Sequence, residues 1–188
     1  MDAVEVNEAS LVGHSQGCLV AIECTSKYPN KIKTLSLMGG AGAIPMNSEL
    51  LALAENSDPK AVDLMMDFAH GPSGHFGGHP VPGLYHLNTG AMLVQSKEIK
   101  DTLGVDFRAC QNYTNGFDAA KKLSLPTLSI LADQDRMCRL KDGQKLANHI
   151  KNSEVHIIKN CGHMMLLEEA DQTLSILKRF IKNYYPAI

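Results

Sequence analysis

The apolar positions of this chain follow two periodicities, and the alternation between them outlines a fold. Ala9–His14 (ASLVGH) is a short apolar run that reads as a buried strand, and Ile32–Met38 (IKTLSLM) is a second, closed by Gly39-Gly40. Between them Cys18, Leu19, Ala21 and Ile22 recur on one face of a helix over 16–28, with Glu23, Ser26 and Lys27 opposite, and Pro29-Asn30 marks its end. Strand, helix and strand within about 35 residues predict a right-handed parallel βαβ crossover.

From Ile44 to Asp118 the strand pattern vanishes. Asn47 or Ser48 is placed to cap a short helix through Glu55. Asp58-Pro59 supplies an N-cap and a proline at the first helical position for a helix to Ala69. Thr89–Ser96 and Gly104–Asn112 read as further helical pieces beyond a loop rich in Gly, His and Pro over 70–83. After Leu125 the alternation returns, with a strand over 126–132, a helix over 141–150 and a strand over 154–159. A last helix runs from about Glu169 to Tyr185, with Leu174, Leu177, Phe180, Ile181 and Tyr184 as its apolar stripe. The expected class is α/β, with a core from 1–43 and 119–188 and a mostly helical insertion over 44–118.

Composition narrows the functions. The chain has 188 residues, enough for one sizeable core, and its net charge of -2 argues against nucleic acid as the main partner. Five scattered cysteines without a C-x-x-C pair fit free thiols in a reducing compartment. The first residues lack the basic patch and apolar run of a signal peptide, and no apolar stretch reaches the ~18 residues of a membrane span. The expectation is a cytoplasmic protein without membrane contact, unless a segment ahead of Met1 carries a signal.

The chemistry concentrates in Gly13-His14-Ser15-Gln16-Gly17, a G-x-S-x-G turn between a strand and a helix. A serine hydroxyl is a poor nucleophile; it needs a base within reach and donors for the oxyanion its attack creates. The tight turn lifts Ser15 out at the carboxyl end of the sheet, and Gly13 and Gly17 remove side chains where its two arms would collide. The N–H of Gln16, at a helix start, can face the oxyanion. Downstream, Cys161-Gly162-His163-Met164 places His163 in a loop after a strand, where a base can reach Ser15. An acid is expected just past the strand 126–132, where Asp133 and Asp135 both stand, and spacing alone leaves both open.

Three segments resemble the α/β-hydrolase superfamily, in its serine-nucleophile, helical-cap group. They are SLVGHSQGCLVAIECTSKYPNKIKTLSLMGG, LPTLSILADQDRM and NCGHMMLLEEADQTLSILKRFI. The resemblance implies Ser15 as nucleophile, Asp135 as acid, His163 as base and the Gln16 N–H as oxyanion donor, with a small-molecule substrate and no cofactor. Asp135 follows from the family pattern of a small residue, here Ala132, two variable positions and Asp. The chain departs from the pattern in having Ala132 where Gly is usual and Cys138-Arg139 where Pro is usual. Family members also place four strands before the elbow strand, in the order 1-2-4-3-5-6-7-8. What this chain would form is a partial fold, a parallel sheet of about four strands equivalent to strands 5–8, with residues 9–14 as an exposed apolar edge. A late start or fragment is the expected cause, and a missing N-terminal segment or a partner would cover the edge. The absent part would include the loop that usually donates the second oxyanion N–H, a loss of order 10²–10³ in rate.

These readings make hydrolysis of esters or related small acyl substrates through an acyl-enzyme the leading expectation. One alternative keeps the triad for a C–C bond hydrolase, lyase or cofactor-free peroxidase; another is a non-catalytic remnant or binding subunit. Dehalogenase and epoxide hydrolase chemistry is disfavoured, since those relatives carry Asp where this chain has Ser15. His14 and Met164 are candidates to line the substrate pocket, His14 as a packing residue rather than a second base, and Met65 and Met66 read as core. His70, His75, His79 and His86 fit no tight metal-ligand spacing, so their loop reads as substrate contact or lid and no metal is expected.

Overall fold

The alternation of apolar strands and amphipathic helices builds a parallel sheet covered on two faces. In a computed structural model, residues 1–71 and 101–185 are described, and four strands lie in the order β1 (Ala9–His14), β2 (Ile32–Met38), β3 (Thr127–Ala132) and β4 (Ser153–Ile158). All neighbours pair in parallel, His14 beside Met38, Met38 beside Ile130 and Ala132 beside Ile158. Their carboxyl ends therefore open on one rim, the place where α/β sheets bind ligands.

Every residue of β3 is buried, because a parallel strand inside a sheet has helices on both faces. One face carries Leu35 and Leu37 of β2 against Cys18, Ala21 and Ile22 of α1 (Gln16–Lys27). Ala119 and Ala120 of a short helix over Gly116–Lys121 join that cluster, as does Leu146 of Leu140–Ala147. On the other face Leu128, Ile130, Ala132 and Ile158 meet Met165, Ile176 and Phe180.

In chain order the other helices are α2 (Ser48–Glu55), α3 (Lys60–Ala69), α4 (Thr102–Asn112), α5 (Gly116–Lys121), α6 (Leu140–Ala147), α7 (Met165–Glu168) and α8 (Ala170–Lys182). The α2 start is capped by Asn47, whose Oδ1 accepts from the Leu50 N–H at 3.0 Å. The Asp58 Oδ1 accepts from the Lys60 N–H at 2.9 Å ahead of α3, as the Asp-Pro pair predicts. Leu50, Ala54, Ala61 and Phe107 pack α2, α3 and α4 into a cluster of their own. Among the described residues of 44–118 there is no strand. The expected helix Thr89–Ser96, most of the loop over 70–83, and His75, His79 and His86 lie outside the described residues.

Several expectations shift. β1 is an edge of this sheet among the described residues, as the partial fold implies and unlike the buried strand its apolar run alone suggests, and Val12 is 40% exposed. Pairing among the described residues occupies one side of β1 only. α6 ends at Ala147, and His149 and Ile150 continue in tighter turns that bond Leu146 and Ala147. The last helix, α8, starts at Ala170 as expected but ends at Lys182, and a short helix not foreseen, α7, precedes it. Leu174, placed on its apolar stripe, is 48% exposed. The buried line instead runs through Thr173, Ile176 and Phe180, and Thr173 Oγ1 donates to the Met165 carbonyl at 3.0 Å. A polar residue satisfied by a local carbonyl is invisible to an apolar count. α5 was not foreseen because it has only six residues. No described helix is long and apolar enough to cross a membrane.

Ile130 is fully buried, so Ile130→Ala will destabilise the fold by about 2–5 kcal/mol in urea unfolding. Leu174→Ala will change it by less than about 0.5 kcal/mol. Equal losses at the two positions would contradict this packing.

Candidate active site

The turn between β1 and α1 sets Ser15 on the rim. Its backbone has φ 54° and ψ -123°, a left-handed conformation that costs a side-chain-bearing residue about 1–3 kcal/mol. Two bonds hold it there: the Ser15 N–H donates to the Met38 carbonyl at 2.9 Å and the Cys18 N–H to the Ser15 carbonyl at 2.9 Å. Gly13 is sterically required, since a Cβ there would lie 2.5 Å from the Gly17 carbonyl oxygen. Gly17 is not required in the same sense: a Cβ on it would meet no described atom within 4 Å. The expected collision of two arms is thus a one-sided demand on Gly13.

Asp135 and His163 meet beside this turn. His163 Nδ1 donates to Asp135 Oδ2 at 2.7 Å, with the residues 1% and 5% exposed. The other carboxylate oxygen, Oδ1, accepts from the N–H groups of Met137 (2.9 Å) and Cys138 (2.8 Å). Cys138, a departure from the family pattern, therefore serves the acid through its backbone. Asp133 faces elsewhere, its Oδ2 3.7 Å from Lys159 Nζ. The acid loop is laced to its neighbours by Asp133 N–H to the Ile158 carbonyl and Gln134 N–H to the Cys161 carbonyl. A carboxylate accepts, so Nδ1 carries the imidazole proton and Nε2 presents its lone pair. Nε2 is buried and has no partner among the described residues.

The surroundings bring this pair against the elbow. His14, next to Ser15, donates from Nε2 to the His163 carbonyl at 2.9 Å, and the two rings lie 4.8 Å apart. Burial, and then the nearness of His163, lowers the His14 pKa, so it stays neutral near pH 7. Gly39, after β2, has φ 55°, and a Cβ there would approach the His163 ring to 3.1 Å and Asp135 Oδ2 to 3.3 Å. Gln16 opens α1, and its side chain donates to the Asp106 carbonyl of α4 at 3.3 Å. A cleft of about 420 Å³ between α1 and α4 is lined by Gln16, Leu19, Val20 and Tyr113. Met164 is half-buried and donates its N–H to the Ala69 carbonyl at 3.2 Å. Neither His14 nor Met164 lines that cleft.

The buried thiols stay protonated near neutral pH. Burial pushes Cys18 and Cys161 up to about 12 and Cys110 up to about 11, and all five cysteines are free. His70 is buried, its Nδ1 donating to the Met66 carbonyl at 3.3 Å. Among the described residues no group of three His, Cys, Asp or Glu could hold a metal. The sequence reading missed Gly39, the Ala69 carbonyl, which accepts from the His163 N–H at 2.7 Å, and Glu168. Only Gly39 left a signal, as one of two glycines closing a strand.

Gly39→Ala will force a side chain into a left-handed turn against the His163 ring. It will destabilise the protein by about 1–3 kcal/mol and erase the low-field NMR signal of the His163 Nδ1 proton. For His14 the folded-state pKa lies below the ordinary 6.5, so the unfolded chain binds the proton more readily. Its contribution is complete above about pH 6.5 and is lost as pH falls through the lower folded value. Urea unfolding across about pH 5–8 will show this decline in the native protein and a flatter one in His14→Asn.

The Alpha/beta hydrolase family matches residues 2–176. The chain is 24% identical over 192 residues to the 2-hydroxymuconate semialdehyde hydrolase of Pseudomonas sp. (strain CF600), covering 96% of this chain and 64% of that protein. It thus spans just under two thirds of that relative's length. Among solved structures it superposes on a thermophilic esterase with a TM-score of 0.76 at 27% identity, over 96% of this chain and 68% of the esterase. It superposes on the meta-cleavage product hydrolase of Pseudomonas fluorescens IP01 with a TM-score of 0.77 at 19% identity, over 98% and 68%. The curated relatives correct the expectation of an ester hydrolase. They are named for 2-hydroxymuconate semialdehyde and for 2-hydroxy-6-oxononadienedioate or its triene homologue, which makes them hydrolases of C–C bonds. With the family match extending over nearly the whole chain and a parallel α/β sheet bearing a serine elbow, this chain belongs to the α/β-hydrolase family.

Proposed function

We propose that the protein hydrolyses a carbon–carbon bond in 2-hydroxy-6-oxo-dienoate acids, with Ser15 as nucleophile, His163 as base and Asp135 as the acid that orients it. The observation that carries the reading is the buried 2.7 Å bond between His163 Nδ1 and Asp135, which leaves Nε2 as the lone pair available at the elbow. The names of the relatives supply the substrate class. In this reading the core is 1–43 with 119–188, and the insertion 44–118 covers the substrate. The buried free thiols suit a reducing, cytoplasmic setting.

The chemistry follows from the substrate class. Ser15 Oγ adds to the 6-oxo carbon while His163 Nε2 takes its proton, and the Gln16 N–H steadies the oxyanion. The bond from that carbon to C5 then breaks. Tautomerisation of the 2-hydroxy-diene to the 2-ketone first carries the hydroxyl proton to C5; the electron pair of the broken bond then passes along the chain onto the C2 oxygen, and the proton His163 took from Ser15 goes to the resulting dienolate. The ester left on Ser15 is cleaved by water, whose proton His163 accepts, releasing a carboxylic acid. The overall addition is one water across the C5–C6 bond.

With 2-hydroxy-6-oxononadienedioate as substrate, the yellow dienolate absorbance will fade and two acids will form. Ser15→Ala and His163→Ala will lower the rate by at least about 10³-fold. A native protein that leaves this compound intact while labelling at Ser15 with a fluorophosphonate would remove the substrate assignment and keep the nucleophile. Absence of labelling would remove both.

A further inference from the structure

The loop that carries His163 is held by a residue outside the triad. Glu168, the last residue of α7, accepts from three backbone N–H groups. Its Oε2 takes Gly162 at 3.0 Å and Gly71 at 2.9 Å, and its Oε1 takes Met164 at 3.2 Å. Gly162 and Met164 flank His163 on either side. Gly71 stands two residues past the end of α3, in the expected insertion. The Ala69 carbonyl completes the junction by accepting from the N–H groups of His163 (2.7 Å) and Met164 (3.2 Å). A carboxylate accepting several N–H bonds makes each stronger than a neutral pair would, and two oxygens can serve three donors only at one distance and tilt.

We propose that Glu168 is a positioning residue for His163: its carboxylate fastens the base loop to the end of α3, so that the insertion, and not the sheet alone, sets where the imidazole stands. Asp135 orients the ring from the β3 side. Glu168 fixes the backbone that bears the ring, and it does so through the segment leading out of α3. A displacement of that segment would therefore move the base. The inference rests on the reading of His163 as the base, and its test has one readout that does not require catalysis.

The test compares Glu168→Ala, Glu168→Asp and Glu168→Gln in the full chain. One readout is the low-field NMR signal of the His163 Nδ1 proton; the other is inactivation by a fluorophosphonate, resolved into its half-saturating concentration and maximal rate. Glu168→Gln keeps the length and one oxygen for Gly71 and Gly162, and it will retain the signal and a maximal rate within about 3-fold of the native protein. Glu168→Asp keeps the charge but is one methylene short, and will lose about 10-fold. Glu168→Ala will broaden the signal and lose about 10–100-fold in maximal rate, as a displacement near 1 Å does, while the half-saturating concentration moves less than about 3-fold. A folded Glu168→Ala with the native signal and rate would overturn the proposal. So would Glu168→Gln failing as far as Glu168→Ala, or Glu168→Asp matching the native protein; these two comparisons decide the matter if Glu168→Ala does not fold. If the native protein does not label, the nucleophile reading falls and the His163 signal alone decides the role of Glu168.

Discussion

An imidazole that is to accept a proton must be held in one tautomer, away from water, with its second nitrogen exposed to the nucleophile. The 2.7 Å bond between His163 and Asp135 fixes the tautomer and is buried, and much of the local structure is arranged around it. The two residues come from loops at the carboxyl ends of β4 and β3, so the strands must end on the same rim, which parallel pairing in this register ensures. The acid loop is itself fixed by the Met137 and Cys138 N–H groups, and Gly39 adopts φ 55° where any side chain would press on the pair. A pair this buried leaves little room for adjustment, because a shift in one loop strains the bond to the other.

Strain and packing share this burden. Ser15 sits in a left-handed conformation that its own side chain disfavours, held by bonds to Met38 and Cys18. Those bonds rest on β2 and α1, whose Leu35, Leu37, Cys18 and Ile22 belong to one buried cluster. The rigidity of the elbow is thus supplied by apolar packing beneath it. The opposite side of the sheet supports the His163 loop instead, through Met165, Ile176 and Phe180 under β3 and β4.

His14 illustrates how a neutral group can be as useful as a charged one. It lies within 4.8 Å of the His163 ring, where a second positive charge would oppose imidazolium formation. Burial keeps it neutral, and its Nε2 proton is committed to the His163 carbonyl. On the proposed reading, the difference between ester and carbon–carbon cleavage is not written in these residues, since both reactions begin with the same attack on a carbonyl. It depends on what receives the departing electron pair, which is a property of the substrate and of the surface that covers it.

The periodicity of the chain located the four strands almost to the residue, because a parallel sheet favours short apolar runs, and these stand out clearly in β1 and β3. It also brought out Ser15 and His163, since a G-x-S-x-G turn and a Gly-His loop are local features. Spacing alone left Asp133 and Asp135 open and the family pattern pointed to Asp135; the packed loop turns Asp135 to His163 and Asp133 toward Lys159. Periodicity misplaced Leu174, because burial along α8 depends on a Thr173 hydroxyl finding a carbonyl eight residues back. It gave no hint of Glu168 or the Ala69 carbonyl, whose roles arise where residues nearly 100 positions apart are brought together. Sequence alone singled out the candidate residues, and tertiary structure decided which of them share a hydrogen bond, because such bonds are set by distances across the fold.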